Sequence, residues 1–337
     1  MNFDFSEDQK FLGNEARKFL SAECTTAHVR DVLNDDAKTH HDGVWQKVVE
    51  MGWLGTAIPE DFGGLGLGAL ELCILAEEMG RALAPVPFSS TVYFFAEGLM
   101  LAGGDKQKAA LLPGVASGDV IGCYALSEGP GKVDATKLKT VFDGSKVTGT
   151  KVPVTDGDIA THALILAKEG SGSSLVLVDL NGPGVTRTTI STLEPTRSHA
   201  EIVFDGAPGE RVGAADDGAQ LNDDILNRAA VLLAFEQLGG ASRCLEMATE
   251  YAKERYAFGR PIGGNQAIKH KLADMYVKNE VARSNAYYGA WALSTEAAEL
   301  PEAAAAARLA ASEAYWFASK ENIQTHGGMG FTWEVDC

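Results

Sequence analysis

The spacing of apolar residues changes period twice along the chain. Up to about Gly114 it is helical: Leu12, Ala16, Phe19 and Leu20 recur on one face behind Ser6-Glu-Asp-Gln9, a capping-box signature. Further helices are expected from Val44 to Met51 and from Leu70 to Arg81, the latter carrying Glu77 and Glu78, and Pro113-Gly114 closes the region. From Val120 to about Val212 the period falls to two. Lys139–Phe142, Ala163–Ala167 and Leu175–Leu180 are short alternating or wholly apolar runs, punctuated by Asp143-Gly144, Asp156-Gly157 and Pro183-Gly184. Strands without intervening helices predict an antiparallel barrel or sandwich. After about Ala219 helix returns, with Asn222–Tyr256, Asn265–Leu293 and Pro301–Gln324 as three long elements on short connections, the pattern of a bundle. Gly239-Gly240 inside the first costs ~1 kcal/mol relative to alanine, so it predicts close approach of a helix or ligand.

The resulting fold class is α+β multidomain: an N-terminal helical domain (1–117), a middle antiparallel β-barrel or sandwich (118–214) and a C-terminal antiparallel helix bundle (215–337). Composition supports this. A chain of 337 residues predicts two or three packed units, and 45% apolar residues suffice for their cores. A net charge of −17 with no basic cluster argues against nucleic acid or an anionic membrane as partner. Cys24, Cys73, Cys123, Cys244 and Cys337 are scattered and lack CxxC spacing, which reads as reduced thiols in a cytoplasmic protein and as no metal site. The acidic N-terminus is unlike a signal peptide. The stretch Ala82–Gly104 is interrupted by Pro85, Pro87 and Glu97, so no spanning helix is expected there.

The run carrying most chemistry is Arg255-Tyr-Ala-Phe-Gly-Arg-Pro-Ile262, followed by Gln266-Ala-Ile-Lys-His270 and Leu272-Ala-Asp-Met275. Arginine at a bend can fork onto phosphate oxygens while backbone N–H groups add donors. This run resembles the C-terminal signature of acyl-CoA dehydrogenases. The resemblance extends to Ile58-Pro-Glu-Asp-Phe-Gly-Gly-Leu-Gly66 near the N-terminus and to Gln324-Thr-His-Gly-Gly-Met-Gly-Phe-Thr-Trp-Glu334, so it covers essentially the whole chain. It implies FAD as cofactor, with Arg255, Phe258 and Gln266 at its pyrophosphate end. It also implies that Gln324, Gly327 and Gly328 receive the cofactor of a neighbouring subunit, in a homotetramer or heterotetramer. His326 reads as structural.

Tyr124-Ala-Leu-Ser-Glu-Gly-Pro-Gly-Lys-Val-Asp134 is similar to the family's first flavin-contacting strand and loop, and Gly149-Thr-Lys-Val-Pro-Val-Thr155 to the next. The resemblance places Tyr124, Leu126 and Ser127 over the isoalloxazine ring, with backbone and hydroxyl groups on its pyrimidine side, and Thr155 near flavin N5. Two departures stand out: Lys132-Val133-Asp134 replaces the usual Gly-Ser-Asp, and Pro153 replaces a flanking aromatic.

The activity implied is α,β-dehydrogenation of an acyl-CoA to the 2,3-enoyl thioester, with an electron-transfer flavoprotein as electron acceptor. One carboxylate must take the α-proton while flavin accepts the hydride. In much of the family that base lies in a segment beyond the position of Cys337. In a minority it lies on the helix before the bend, at a position that is Ala229 here. Glu236 follows two turns later on nearly the same face, among Leu232, Leu233, Phe235 and Leu238, and is the candidate base. Its structural alternative is an ion pair with Arg228 or Arg243. Two rival readings of the whole chain are a non-catalytic or half-site partner subunit of a hetero-oligomer, and a flavin-dependent monooxygenase on the same scaffold.

Overall fold

The structure is a computed structural model and describes residues 5–337. Helices come first in the chain: α1 (Glu7–Glu23), α2 (Thr26–Leu33), α3 (Asp42–Glu50), α4 (Ala69–Arg81), a π-helical stretch (Ser89–Ala96), α5 (Glu97–Ala102) and α6 (Asp105–Ser117). Eight strands follow: β1 (Gly122–Ala125), β2 (Val141–Phe142), β3 (Lys146–Thr155), β4 (His162–Glu169), β5 (Gly172–Asp179), β6 (Val185–Thr189), β7 (His199–Pro208) and β8 (Glu210–Val212). The remainder is α7 (Gly218–Glu254), the short strands β9 (Tyr256–Ala257) and β10 (Arg260–Pro261), α8 (Gln266–Ser294) and α9 (Leu300–His326). The capping box at Ser6 forms, with Gln9 N–H and the Ser6 hydroxyl 3.2 Å apart. Pro113 does not end the first helical region. It lies inside α6, which stops only where Gly118 takes φ +80°. Among the described residues no helix is long and apolar enough to cross a membrane.

The chain packs as two compact units, each assembled from separated segments. One holds residues 27–68 and 85–229, including the sheet. Its strand order is β6-β7-β3-β2-β4-β5-β8, with β1 also paired to β4. The sheet is mixed: most neighbours are antiparallel, but β1 and β2 run parallel to β4. The wholly apolar runs have a physical reason. Ala163, Ile165, Val176 and Val178 join a core with Phe142, Ile202 and Phe204 on one face. Leu164, Leu175 and Leu177 pack on the other face against Phe95, Leu99, Leu112 and Ile225. Strands covered on both sides lose the alternation of half-exposed ones. The β2–β3 hairpin turns at Gly144-Ser145, one residue later than Asp143-Gly144. Asp143 stays in the strand register, and its carboxylate accepts from Ser145 N (2.9 Å) and Lys146 N (2.8 Å).

The other unit holds residues up to 26, 69–84 and 230–337. Here α8 and α9 are antiparallel, since Lys271 pairs with Glu321 (2.6 Å) and Lys278 with Glu313 (2.5 Å). Alanines 303, 304, 307, 311, 314 and 318 are buried, giving α9 a small-residue face. The glycines inside α7 serve the expected close approach. A Cβ on Gly239 would stand 1.8 Å from the Glu77 carbonyl oxygen, and one on Gly80 of α4 would stand 1.8 Å from that of Glu236. Thus α4 and α7 meet backbone to backbone. Glu77 and Glu78 of α4 are buried and paired: Glu78 with Arg17 (2.6 Å) and Glu77 with Arg283 (3.0 Å). Burial pushes the Glu77 carboxyl up, against the pull of the Arg283 charge.

Candidate functional site

The sheet unit brings Tyr124, Leu126 and Ser127 together at the exit of β1, beside β3. Val152 N–H donates to the Ser127 carbonyl (2.8 Å) and Gly129 N–H to the Val152 carbonyl (2.8 Å), so the segment after β1 is pinned to β3. Lys151 completes the joint. Its side chain is fully buried, and Nζ donates to the Leu126 carbonyl (3.1 Å) and to Glu128 Oε1 (2.9 Å). Glu128 in turn accepts from the backbone N–H groups of Lys139 (2.8 Å) and Thr140 (2.9 Å). Burial pushes the Glu128 carboxyl up, but those N–H groups and the Lys151 ammonium outweigh it and hold it at about 2. Burial lowers the Lys151 pKa, opposed by Glu128.

What this joint leaves open is informative. Among the described residues neither the N–H nor the hydroxyl of Ser127 has a protein partner within hydrogen-bond distance, although the residue is only partly exposed. Next to it is a cavity of about 720 Å³, lined by Leu126, Glu128, the Gly129–Lys132 loop, Lys137, Lys139 and, from the start of α7, Asn222 and Asp223. Lys137 pairs with Asp134 (2.8 Å), but among the described residues no carboxylate lies within ion-pair distance of Lys132 or Lys139. Gly129 and Gly131 take φ +124° and +108°, and a Cβ on either would meet nothing within 4 Å. Open donors beside a glycine-lined cavity with two lysines outside ion-pair distance of any carboxylate among the described residues fit a ligand with a hydrogen-bonding ring and anionic oxygens, which is the chemistry of a flavin dinucleotide.

Tyr124 and Thr155 are already engaged. The Tyr124 hydroxyl donates to Asn222 Oδ1 (2.9 Å), its ring stacks on Phe94 (centroids 5.9 Å apart), and burial raises its pKa. The Thr155 hydroxyl lies 3.3 Å from His199 Nε2.

The six remaining cofactor candidates belong to the other unit and gather at one end of its helices. Arg255 directly follows α7, and its N–H donates to the Tyr251 carbonyl (2.8 Å). The Tyr251 ring stacks on His326, centroids 4.1 Å apart, directly before Gly327 and Gly328. Because α8 and α9 are antiparallel, Gln266 at the start of α8 lies at the same end as Gln324. Arg255, Phe258, Gln266, Gln324, Gly327 and Gly328 are all exposed, and a Cβ on either glycine would touch nothing within 4 Å. The bend itself is a two-residue hairpin between β9 and β10, with Phe258 at φ +54° and Gly259 at φ +80°. A phenylalanine in the left-handed region and wholly exposed is unusual, and such outliers gather at binding sites. His326 is buried, with Nδ1 2.9 Å from the Asn322 carbonyl, the environment of a structural histidine.

Glu236 is half-buried in the same unit. The ion pairs weighed from sequence go elsewhere: Arg228 lies 3.6 Å from Glu97, and Arg243 lies 3.6 Å from Glu246. Arg308 of α9 feels the Glu236 charge: burial lowers its pKa and Glu236 raises it. Ala229 is buried. Sequence reasoning did not single out Lys151, Glu128, Asn222 or Arg308. The first is one lysine in an alternating strand, which carries no signal of burial.

Comparison with known proteins shows the family. Residues 6–119 match the N-terminal domain model of acyl-CoA dehydrogenases, and residues 216–337 match the C-terminal domain model. The chain is 33% identical over 341 residues to the acyl-CoA dehydrogenase IpdE2 of Mycobacterium tuberculosis, covering 98% of this chain and 88% of the relative. It is 32% identical over 306 residues to the short-chain specific mitochondrial acyl-CoA dehydrogenase of Homo sapiens, covering 86% and 74%. Among solved structures, the ChsE4–ChsE5 complex from Mycobacterium tuberculosis superposes with a TM-score of 0.87 at 29% identity, covering 98% of this chain and 90% of that one. This chain belongs to the acyl-CoA dehydrogenase family of flavin-dependent oxidoreductases acting on CH–CH groups.

Proposed function

We propose that this chain binds FAD and dehydrogenates an acyl-CoA at its α and β carbons, giving the 2,3-enoyl thioester. The observation that carries the reading is the unpartnered Ser127 N–H and hydroxyl beside the lysine-bearing cavity. FAD, when bound, supplies a two-electron acceptor for the β-hydride. The chain's own part is to hold the ring through Ser127 and its neighbours, to meet phosphate oxygens with Lys132 and Lys139, and to offer a carboxylate to the α-proton. Glu236 is the candidate for that last role. An electron-transfer flavoprotein would then take the electrons onward.

Association of subunits is part of the proposal. Val277, Val281 and Tyr288 on α8, and Leu309, Trp316 and Ile323 on α9, leave large apolar surface in water at helical spacing. The exposed Arg255 bend and Gly327–Gly328 loop fit contact with a neighbour's cofactor in a tetramer. One observation favours a second reading, the half-site partner subunit: Glu236 is coupled to Arg308 and Ala229 offers no base, so a heterologous chain could provide the proton acceptor. The visible spectrum of the purified chain separates the two. Bound flavin that bleaches on anaerobic addition of acyl-CoA supports the dehydrogenase; a colourless protein that gains flavin only with a homologous chain supports the partner subunit. Flavin that is reduced by NADPH but not by any acyl-CoA would point instead to the monooxygenase.

A further inference from the structure

Buried lysines are scarce because desolvation disfavours the ammonium, so a lysine with no exposed surface inside a β-strand calls for a reason. Lys151 has a counter-ion, Glu128, which is itself held by two backbone N–H groups. The second bond of the ammonium is to the Leu126 carbonyl. That carbonyl and the Ser127 N–H are the two ends of one peptide group. A cation on the oxygen draws electron density along the peptide and makes the N–H a stronger donor. It also fixes the plane of that peptide, while the Val152 N–H holds the following one through the Ser127 carbonyl.

We infer that Lys151 is a positioning residue for the cofactor, aiming and strengthening the Ser127 N–H through the Leu126 carbonyl. The inference rests on the flavin reading above. Its consequence is electrical: reduction adds electron density to the ring, so a strengthened donor and a nearby cation favour the reduced form. Glu128, which lines the cavity, partly offsets that charge, so its removal should unmask the effect of the lysine.

The test compares Lys151→Gln, which can keep a hydrogen bond but loses the charge, with Lys151→Met, which loses both. The measurements are the FAD dissociation constant and the midpoint potential of the bound flavin. Lys151→Gln should retain FAD within about tenfold while favouring oxidised flavin by about tenfold, a fall near 30 mV for a two-electron couple. Lys151→Met should bind FAD more weakly still. Glu128→Gln, measured near pH 6 to keep the lysine charged, should shift the potential upward. A lysine that merely holds the loop would move the potentials of Lys151→Gln and Glu128→Gln in the same direction, and that outcome overturns the inference. So does a Lys151→Gln potential within about twofold of wild type in the reduced-to-oxidised ratio. If the wild-type chain takes no FAD, alone or with a homologous subunit, the flavin reading itself has failed and the inference falls with it.

Discussion

Gly239→Ala tests the packing on which the helical unit depends. On helix propensity alone the change should stabilise α7 by ~1 kcal/mol. The tertiary structure reverses that sign. The new methyl would stand 1.8 Å from the Glu77 carbonyl oxygen and 2.8 Å from Arg81 N, whereas ordinary contact begins near 3.4 Å. The helices would have to part by roughly 1.6 Å at this crossing. The opposing atoms are backbone, so no rotamer change relieves the clash, and Gly80 against the Glu236 carbonyl closes the same gap from the other side. Overpacking costs ~1–3 kcal/mol where side chains can adjust and more where they cannot, so a net loss of ~2 kcal/mol or more remains after propensity is counted. That is a fall of roughly thirtyfold in the folded-to-unfolded ratio. Urea unfolding followed by far-UV circular dichroism and by tryptophan fluorescence measures it, the two probes checking whether the units unfold together. Gly328→Ala is the control: its Cβ meets nothing, so its midpoint should stay within about 0.5 kcal/mol of wild type. A Gly239→Ala protein as stable as wild type, or more so, would refute the backbone contact between α4 and α7.

Four further outcomes are expected. If Glu236 is the base, Glu236→Gln slows flavin reduction by acyl-CoA by ~10²–10⁴ without loss of ligand binding; slowing by less than about threefold in rapid mixing assigns Glu236 to Arg308 instead. Arg255→Ala should lower FAD retention on gel filtration of the assembled protein by the equivalent of ~1.5–3 kcal/mol, and unchanged occupancy counts against the phosphate role. Phe258→Gly should relieve a left-handed residue by ~1 kcal/mol and raise the thermal midpoint of the free chain while weakening flavin binding; a lowered midpoint would show that Phe258 is not strained. Because the folded Glu128 pKa of about 2 lies below the unfolded value, its stabilisation is present above the ordinary carboxylate range and is lost as pH falls towards about 2. The stability gap between wild type and Glu128→Gln, read from urea midpoints across pH, should therefore shrink on acidification, and a constant gap would contradict the assignment.

Local rules determined much of this protein. Period and capping place α1, α4 and the long C-terminal helices within a few residues, because an amphipathic helix carries its own spacing. Runs of β-branched residues between turn signals mark the strands for the same reason. The Arg255, Gly327 and Ser127 motifs were legible as a family resemblance, since each is a short stretch with its own order and spacing; their roles at the cofactor belong to the proposal. Only the tertiary structure decided what is non-local. Pro113 could stay inside α6, and Asp143 could yield the turn to Gly144-Ser145, because the surrounding contacts outweigh single-residue preferences. The segments of each unit are far apart in sequence, so the pairing of Glu77 with Arg283 and of Lys271 with Glu321 cannot be read from spacing. Lys151 shows the limit most clearly. In sequence it is one lysine in an alternating strand; its meaning comes from burial, which makes its charge costly unless Glu128 and the Leu126 carbonyl receive it.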